Sequence, residues 1–405
     1  MQPKQIIYPI SYTKIFFSIF SINNPTVNFL KKIKKIIYHK NKNFFLLGRA
    51  RSGIFIAVKE AISIEKKIIL LSPFTIPDVV NLVLMAGGIP KFFDYKKESL
   101  DICNFSLLDL IHKHKTKIAA IIITHYQFNQ INYKKICSIC KKNSILIIED
   151  CAISLSGKSG KYKISSFADF AIYSFSSFKF LNYFWGGLLS YNKKYQSYVD
   201  SYRNWKELSF FNYIPQILKT IKFQILTSNF IFKFFTINLL KKNFNKKKFL
   251  DKIPKESKFS LDSTYFSRLP EIAIKEISRK IENYKNNLSH RREISLVYYK
   301  FLRNISISKN SDLIKRISNG ECSCYLILAK NIKHRTFVRR ELANINFDVG
   351  KFFYNNCSKI LNFKNIAGST KNLDSLIKRL IILPTHPRIT KKYAELLSKN
   401  ILKIY

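Results

Sequence analysis

Acidic residues are scarce in this 405-residue chain: 25 Asp and Glu stand against 70 Lys and Arg, leaving a formal charge of +45. Such a balance would ordinarily point to nucleic acid or an anionic membrane. No helix-turn-helix, aromatic RNA-binding strand or zinc motif accompanies it, and lysine is dispersed among Ile, Asn and Phe through nearly every segment. AT-rich coding gives that mixture without selection for a polyanion, so no nucleic-acid partner is expected. Low-complexity linkers and internal repeats are missing too. No run of about eighteen uninterrupted apolar residues occurs, which argues against a membrane span. Residues 5–29 are rich in Ile, Phe and Tyr but carry Lys14, prolines and no small-residue cleavage site, against a signal peptide. The seven cysteines, Cys103, Cys137, Cys140, Cys151, Cys322, Cys324 and Cys357, are odd in number and lack disulfide spacing, which fits a reducing cytoplasm. Cys137 and Cys140 form a C-x-x-C without a second pair or a His pair at zinc spacing, so packing of an amphipathic helix is expected there and no metal.

What is present is apolar material, 47% of the chain, enough for a large core and two or more structural units. From residue 44 to about 204, short β-rich runs alternate with helix-like stretches, the pattern of an α/β domain with a largely parallel sheet. The runs are 67–71, 91–93, 118–124, 145–149, 170–175 and 187–191; the helical stretches are 52–62, 77–86, 107–114 and 133–142. Residues 205–260 shift to Phe, Ile, Leu and Lys with almost no acid and read as basic amphipathic helix, packed on the protein itself, against a partner subunit or on a membrane surface. A long helix is expected within 261–300 after Pro270. The remainder, with segments 322–329, 335–343, 379–383 and 389–402, reads as a small α+β domain.

Three stretches carry chemistry. Ile145-Leu-Ile-Ile-Glu149-Asp150 is a buried strand ending in two carboxylates, which must point to opposite faces. Asp169 to Lys179 is a second strand running into a Ser-rich loop that ends on a lysine. Ala50-Arg51-Ser52-Gly53 opens a helix, where backbone amides, a hydroxyl and a guanidinium can hold phosphate. A phosphate cradle, a strand-end acid and a lysine are the parts needed to hold pyridoxal 5'-phosphate (PLP). Taken singly, each has a bland reading as an ordinary strand-end acid or surface lysine.

In order and spacing the chain resembles the DegT/DnrJ/StrS-type PLP-dependent sugar aminotransferases from about residue 44 to the C-terminus. The matching segments are Arg51-Ser52-Gly53, Ser72 to Pro77 with Asn81 and Ala86-Gly87, Thr124-His125, Ile148 to Ala152, Asp169, Ser174 to Lys179, Gly186-Gly187, Arg203-Asn204, Tyr265 to Arg268 and Leu383 to Pro387. The resemblance implies an α/β fold of the PLP-dependent transferase type (aspartate aminotransferase-like, fold type I), with a large mostly parallel-sheet domain and a smaller C-terminal α+β domain. The expected divisions are an N-terminal segment 1–43, a PLP-binding domain 44–204, a basic helical insert 205–260 and a C-terminal domain with its connecting helix, 261–405. It also implies that Lys179 bonds covalently to the PLP aldehyde and shuttles a proton, with Asp150 as its catalytic partner at the ring nitrogen. Ser52 and Ser174, with Arg51 beside them, would bind the phosphate, and Phe74 would contact the cofactor. His125 and Arg268 are the substrate-binding candidates, and Glu149 would be structural. The substrates implied are an amino-acid donor, with glutamate the one expected, and a keto-sugar nucleotide used in surface polysaccharide or amino-sugar biosynthesis. A cytoplasmic homodimer sharing residues around 265–268 is expected, with peripheral membrane contact through 205–250 as a further option. Departures from the family pattern are Ile153, Ile76, Gln127-Phe128 and Phe266. Three other readings compete: a PLP-dependent sugar dehydrase, which Lys179 opposes; a cofactor-free scaffold; and a nucleic-acid-binding protein supported by charge alone.

Overall fold

The computed structural model describes residues 25–126, 131–177, 179–226, 228–239, 241, 262–307, 312–350, 355–366 and 368–405. The expectation about Gln127-Phe128, most of the N-terminal segment and the end of the basic insert lie outside these residues.

The sheet is built from β1 (Lys42–Leu47), β2 (Ile68–Leu71), β3 (Ile89–Phe92), β4 (Ile118–Thr124), β5 (Leu146–Asp150), β6 (Phe170–Ser174) and β7 (Gly187–Asn192), in the spatial order β1-β7-β6-β5-β4-β2-β3. Strands β3, β2, β4, β5 and β6 pair in parallel, while β7 runs antiparallel to both β6 and β1. Every residue of β4 is buried, as a parallel strand covered on both faces requires, and its unbroken Ile-Ala-Ala-Ile-Ile-Ile run follows from that.

The crossovers are α-helical. After the N-terminal α1 (Pro25–Ile33) come α2 (Ser52–Ala61), α3 (Pro77–Met85), α4 (Asn104–His114) and α5 (Tyr133–Lys142). Proline at its first position starts α3, and the Asn132 side chain caps α5 by accepting from the Lys135 amide at 3.2 Å. Helices α2 and α3 pack on one face of the sheet around Ile148 and Ile172. On the other face, the α4 and α5 residues Leu107, Ile111, Ile136 and Cys140 pack with Ile121, Ile123 and Ile147. Each such aliphatic side chain contributes about 1.5–3 kcal/mol on burial. Cys140 is therefore a core residue, and burial pushes both the Cys137 and Cys140 thiols up to about 12.

The basic insert begins with α6 (Ile214–Leu226). The long helix expected after Pro270 is two helices, α7 (Glu271–Glu282) and α8 (Tyr284–Leu302), because Asn283 leaves helical geometry at φ −91° and ψ 5°. Asparagine competes with the helix for backbone hydrogen bonds, which suits it to such a break. Helix α1 lies on α7, with Phe29 and Ile33 in the same core cluster as Ile274 and Ile277 and Lys32 paired to Glu282 at 2.6 Å. The C-terminal region sets an antiparallel pair, β8 (Cys324–Leu328) and β9 (Leu380–Pro384), against α8, α9 (Ile332–Asn344) and α10 (Lys391–Ile404). This is the small α+β unit expected from the sequence.

Candidate active site

The carboxyl ends of β4, β5 and β6 lie side by side: Thr124 pairs with Asp150, and Asp150 with Ile172, two residues before Ser174. Strand alternation sorts the neighbouring acids. Asp150 shares the face of Ile148 and Ile172, on which α2 packs, whereas Glu149 points to the other side. There Glu149 is fully buried, and its Oε2 accepts from the Tyr133 hydroxyl at 2.8 Å and the Ser165 amide at 2.7 Å and lies 2.6 Å from His125 Nε2. Glu149, His125 and Cys151 bring possible ligand atoms within 4.8 Å of one another, but the acid and the imidazole are already joined to each other.

Asp150 accepts the Ala152 amide at 3.0 Å on Oδ1. Burial pushes its carboxyl above the usual carboxylate range, opposed by that amide and by the positive charges of Lys179 and His125. Lys179 is half-buried, and burial lowers its ammonium from 10.5 to about 8, with Asp150 raising it and Arg51 lowering it further. An amine, an acid and a guanidinium that sense one another have thus been brought together from positions 51, 150 and 179. A small recess opens on Lys179, bounded by Cys151, Ala152, Ile153, Ser174, Phe180 and Glu321 among others.

Helix α2 reaches this edge because glycine lets it approach. A Cβ on Gly53 would lie 2.9 Å from Ile172 Cγ1, and one on Gly187 would lie 2.3 Å from Ala50 Cα. The start of α2 is less open than the sequence suggested. The amides of Ser52, Gly53 and Ile54 each bond three residues back, to Arg49, Ala50 and Arg51. Ser52 Oγ donates to the Tyr265 carbonyl at 2.6 Å, and Arg51 is ion-paired with Asp78. Among the described residues, Ser174 Oγ makes weak contacts, 3.3 Å to Ser176 Oγ and 3.4 Å to the Ser176 amide, which an anion could displace.

Residues 26–204 match the DegT/DnrJ/EryC1/StrS aminotransferase family. A UDP-4-amino-4,6-dideoxy-N-acetyl-beta-L-altrosamine transaminase of Campylobacter jejuni is 31% identical over 153 residues, 38% of this chain and 40% of that relative. A GDP-perosamine synthase of Vibrio cholerae is 25% identical over 155 residues, 36% of this chain and 41% of that relative. The matched stretch therefore spans about two fifths of the length of these relatives. Over the whole fold, Helicobacter pylori PseC, an aminotransferase involved in the biosynthesis of pseudoaminic acid, superposes with a TM-score of 0.73 at 16% identity, covering 100% of this chain and 99% of that one.

The family match includes Arg51, Ser52, Phe74, His125, Asp150, Ser174 and Lys179, and the structure places them in different settings. Arg51, Asp150, Ser174 and Lys179 meet at the pocket or interact electrostatically there. Phe74 is fully buried, its ring 4.9 Å from that of Tyr126, in an aromatic cluster with Tyr95. His125 is buried against Glu149 and lines a second recess shared with Ile153, Ser154 and Glu321. Arg268 lies beyond the matched region, exposed, with Nε donating to the Trp205 carbonyl at 2.7 Å. Phe266 packs edge-on to Phe55 and Trp205. Ile76 leads into α3.

Two acids escaped the sequence reading. Asp78 is the partner of Arg51. Glu321, from the small domain, is buried at the pocket wall with Oε1 accepting from the Tyr284 hydroxyl at 2.5 Å and from the Ser156 amide, and burial pushes its carboxyl up. An acid at the start of an apolar run gives no signal of this placement, since it converges on Lys179 only through the fold.

Proposed function

We propose that the protein is a PLP-dependent aminotransferase that moves an amino group from an amino acid, with glutamate as the leading candidate, to a keto-sugar nucleotide. The observation that carries this reading is the desolvated Lys179 amine beside the buried Asp150 at the edge of a parallel sheet. The residues present suit PLP. A buried carboxylate whose charge is disfavoured by burial would be stabilised by a ring N–H⁺ set against it, and an amine titrating near 8 is available as a nucleophile at neutral pH. When bound, PLP supplies an electron sink that makes the C–H bond next to the transferred nitrogen acidic.

Within this reading each residue has one task. Asp150 keeps the ring nitrogen protonated. Lys179 would take the proton from the donor carbon and return it to the cofactor carbon on the far side of the transferred nitrogen. Arg51 and Ser174 would hold the phosphate, with Arg51 dividing its charge between that anion and Asp78, and Ser52 would join them only by turning its hydroxyl from the Tyr265 carbonyl. Ile153 offers an apolar wall where the family commonly has a side-chain donor, leaving the ring hydroxyl to other partners. Residues 265–268 would face the second subunit of a cytoplasmic homodimer, which light scattering tests. His125 stands behind the pocket, joined to Glu149, and as a substrate-binding candidate would act from the second recess it lines.

The decisive experiment supplies glutamate to the PLP-loaded protein with no sugar present. One equivalent of 2-oxoglutarate per active site is expected. No 2-oxoglutarate, and no keto acid from other common donors, would refute transamination and favour the scaffold.

A further inference from the structure

The basic insert leaves an apolar face uncovered. Ten of the large apolar side chains exposed among the described residues fall within positions 211–239. On α6, Ile214, Leu218, Ile221 and Ile225 recur at spacings of four, three and four, which places them in one stripe along the helix. All four are exposed, whereas Tyr213 and Ile217 pack into the protein. The next turns repeat the division: Phe230 and Phe235 are exposed while Phe232 and Ile237 are buried. The segment is thus anchored on one side and apolar toward solvent on the other. A contiguous exposed surface of this kind marks a contact site.

Charge decides what covers it. Lys219 and Lys222 are exposed on one flank of the stripe, and no acid occurs between Glu207 and Asp251. A second copy packed symmetrically on this stripe would bring no carboxylate from the same segment to meet Lys219 and Lys222. An anionic lipid surface meets both halves, taking the apolar stripe at the acyl boundary and the ammonium groups at the phosphates. No helix among the described residues is long and apolar enough to cross a membrane, so the contact lies in the plane of the surface. We propose that residues 211–239 form an amphipathic arm that docks the protein on an anionic bilayer. This goes beyond the aminotransferase reading and does not depend on it.

The test sediments the full-length protein, at physiological salt, with vesicles of phosphatidylcholine alone or mixed with phosphatidylglycerol. The charge of +45 could itself attract anionic vesicles, so the key variant keeps it: Leu218→Gln/Ile221→Gln/Phe230→Gln. Wild type is expected on the mixed vesicles only, and the variant should partition at least about tenfold less while its fold and its reaction with glutamate stay unchanged. In Leu218→Trp, tryptophan emission should shift to the blue on adding mixed vesicles. The proposal is overturned if the triple variant binds like wild type, if wild type ignores mixed vesicles or binds neutral ones equally, if the Leu218→Trp emission stays put, or if the triple variant turns a dimer into a monomer, which would make a second copy the occupant.

Discussion

Lys179 should announce itself through pH. With its ammonium at about 8, about half of its amines are unprotonated at pH 8, against about 0.3% of a lysine left at its ordinary value. That is an advantage of roughly 150-fold in reactive amine over the exposed lysines. The assay adds PLP at stepped pH, fixes it with borohydride and quantifies the modified peptides. Attachment at Lys179 should rise with a midpoint near 8. Lys42 is an internal control, because burial lowers it to about 8 as well, yet its Nζ donates to the Ala168 carbonyl, so it should stay unmodified. The neighbours set the sign of two shifts. Removing the positive charge in Arg51→Gln should move the midpoint up, and removing the negative charge in Asp150→Asn should move it down. A midpoint near that of ordinary lysine, label spread over many lysines, or either shift reversed would refute the placement of Lys179 between these two charges.

Three further outcomes follow from the same geometry. Asp150→Asn should leave the thermal midpoint nearly unchanged, since an amide oxygen can still accept the Ala152 amide, but cut the single-turnover rate with glutamate by orders of magnitude; a wild-type rate would make the acid structural. Glu149→Ala should do the reverse, costing about 3–5 kcal/mol in urea titration because a fully buried acid leaves His125, Tyr133 and the Ser165 amide behind, and Glu149→Gln should recover part of that loss. Gly187→Ala forces a Cβ to 2.3 Å from Ala50 Cα, so it should cost about 1–3 kcal/mol and also weaken PLP binding by pushing Arg51 and Ser52 off the sheet edge; unchanged PLP affinity would separate that close approach from the phosphate site.

The sheet was legible because its strands are apolar runs bounded by polar turns. The run 118–124 coincides with β4 and 133–142 with α5, and the other expected runs and helical stretches of this domain differ from the observed elements by a few residues at their ends, whereas β1 was not among the expected strands. The assignment of Asp150 to one face and Glu149 to the other needed only the two-residue period of a strand. The break at Asn283 was hidden because the apolar spacing of α7 and α8 continues across it, and only the backbone reveals the change of direction. The state of the α2 N-terminus was hidden for a different reason. Sequence shows which donors a phosphate site could have, not that Arg51 is engaged by Asp78 and Ser52 by the Tyr265 carbonyl. Glu321 illustrates the same limit at longer range, because nothing local distinguishes a carboxyl that reaches the pocket from one in solvent.

The knot of contacts around Glu149 bears on how such a chain tolerates drift. A strand of Leu, Ile and Ile can slide by one residue against its neighbours without losing much apolar contact, and a slide of one would turn Asp150 away from α2. Glu149 forbids it, because only in the present register does its carboxylate meet His125 from the end of β4, Tyr133 from α5 and the Ser165 amide together. It works as an alignment pin for the residue beside it. With that pin in place, the aliphatic positions around it can exchange among Ile, Leu and Val while the neighbouring acid, Asp150, keeps its aim.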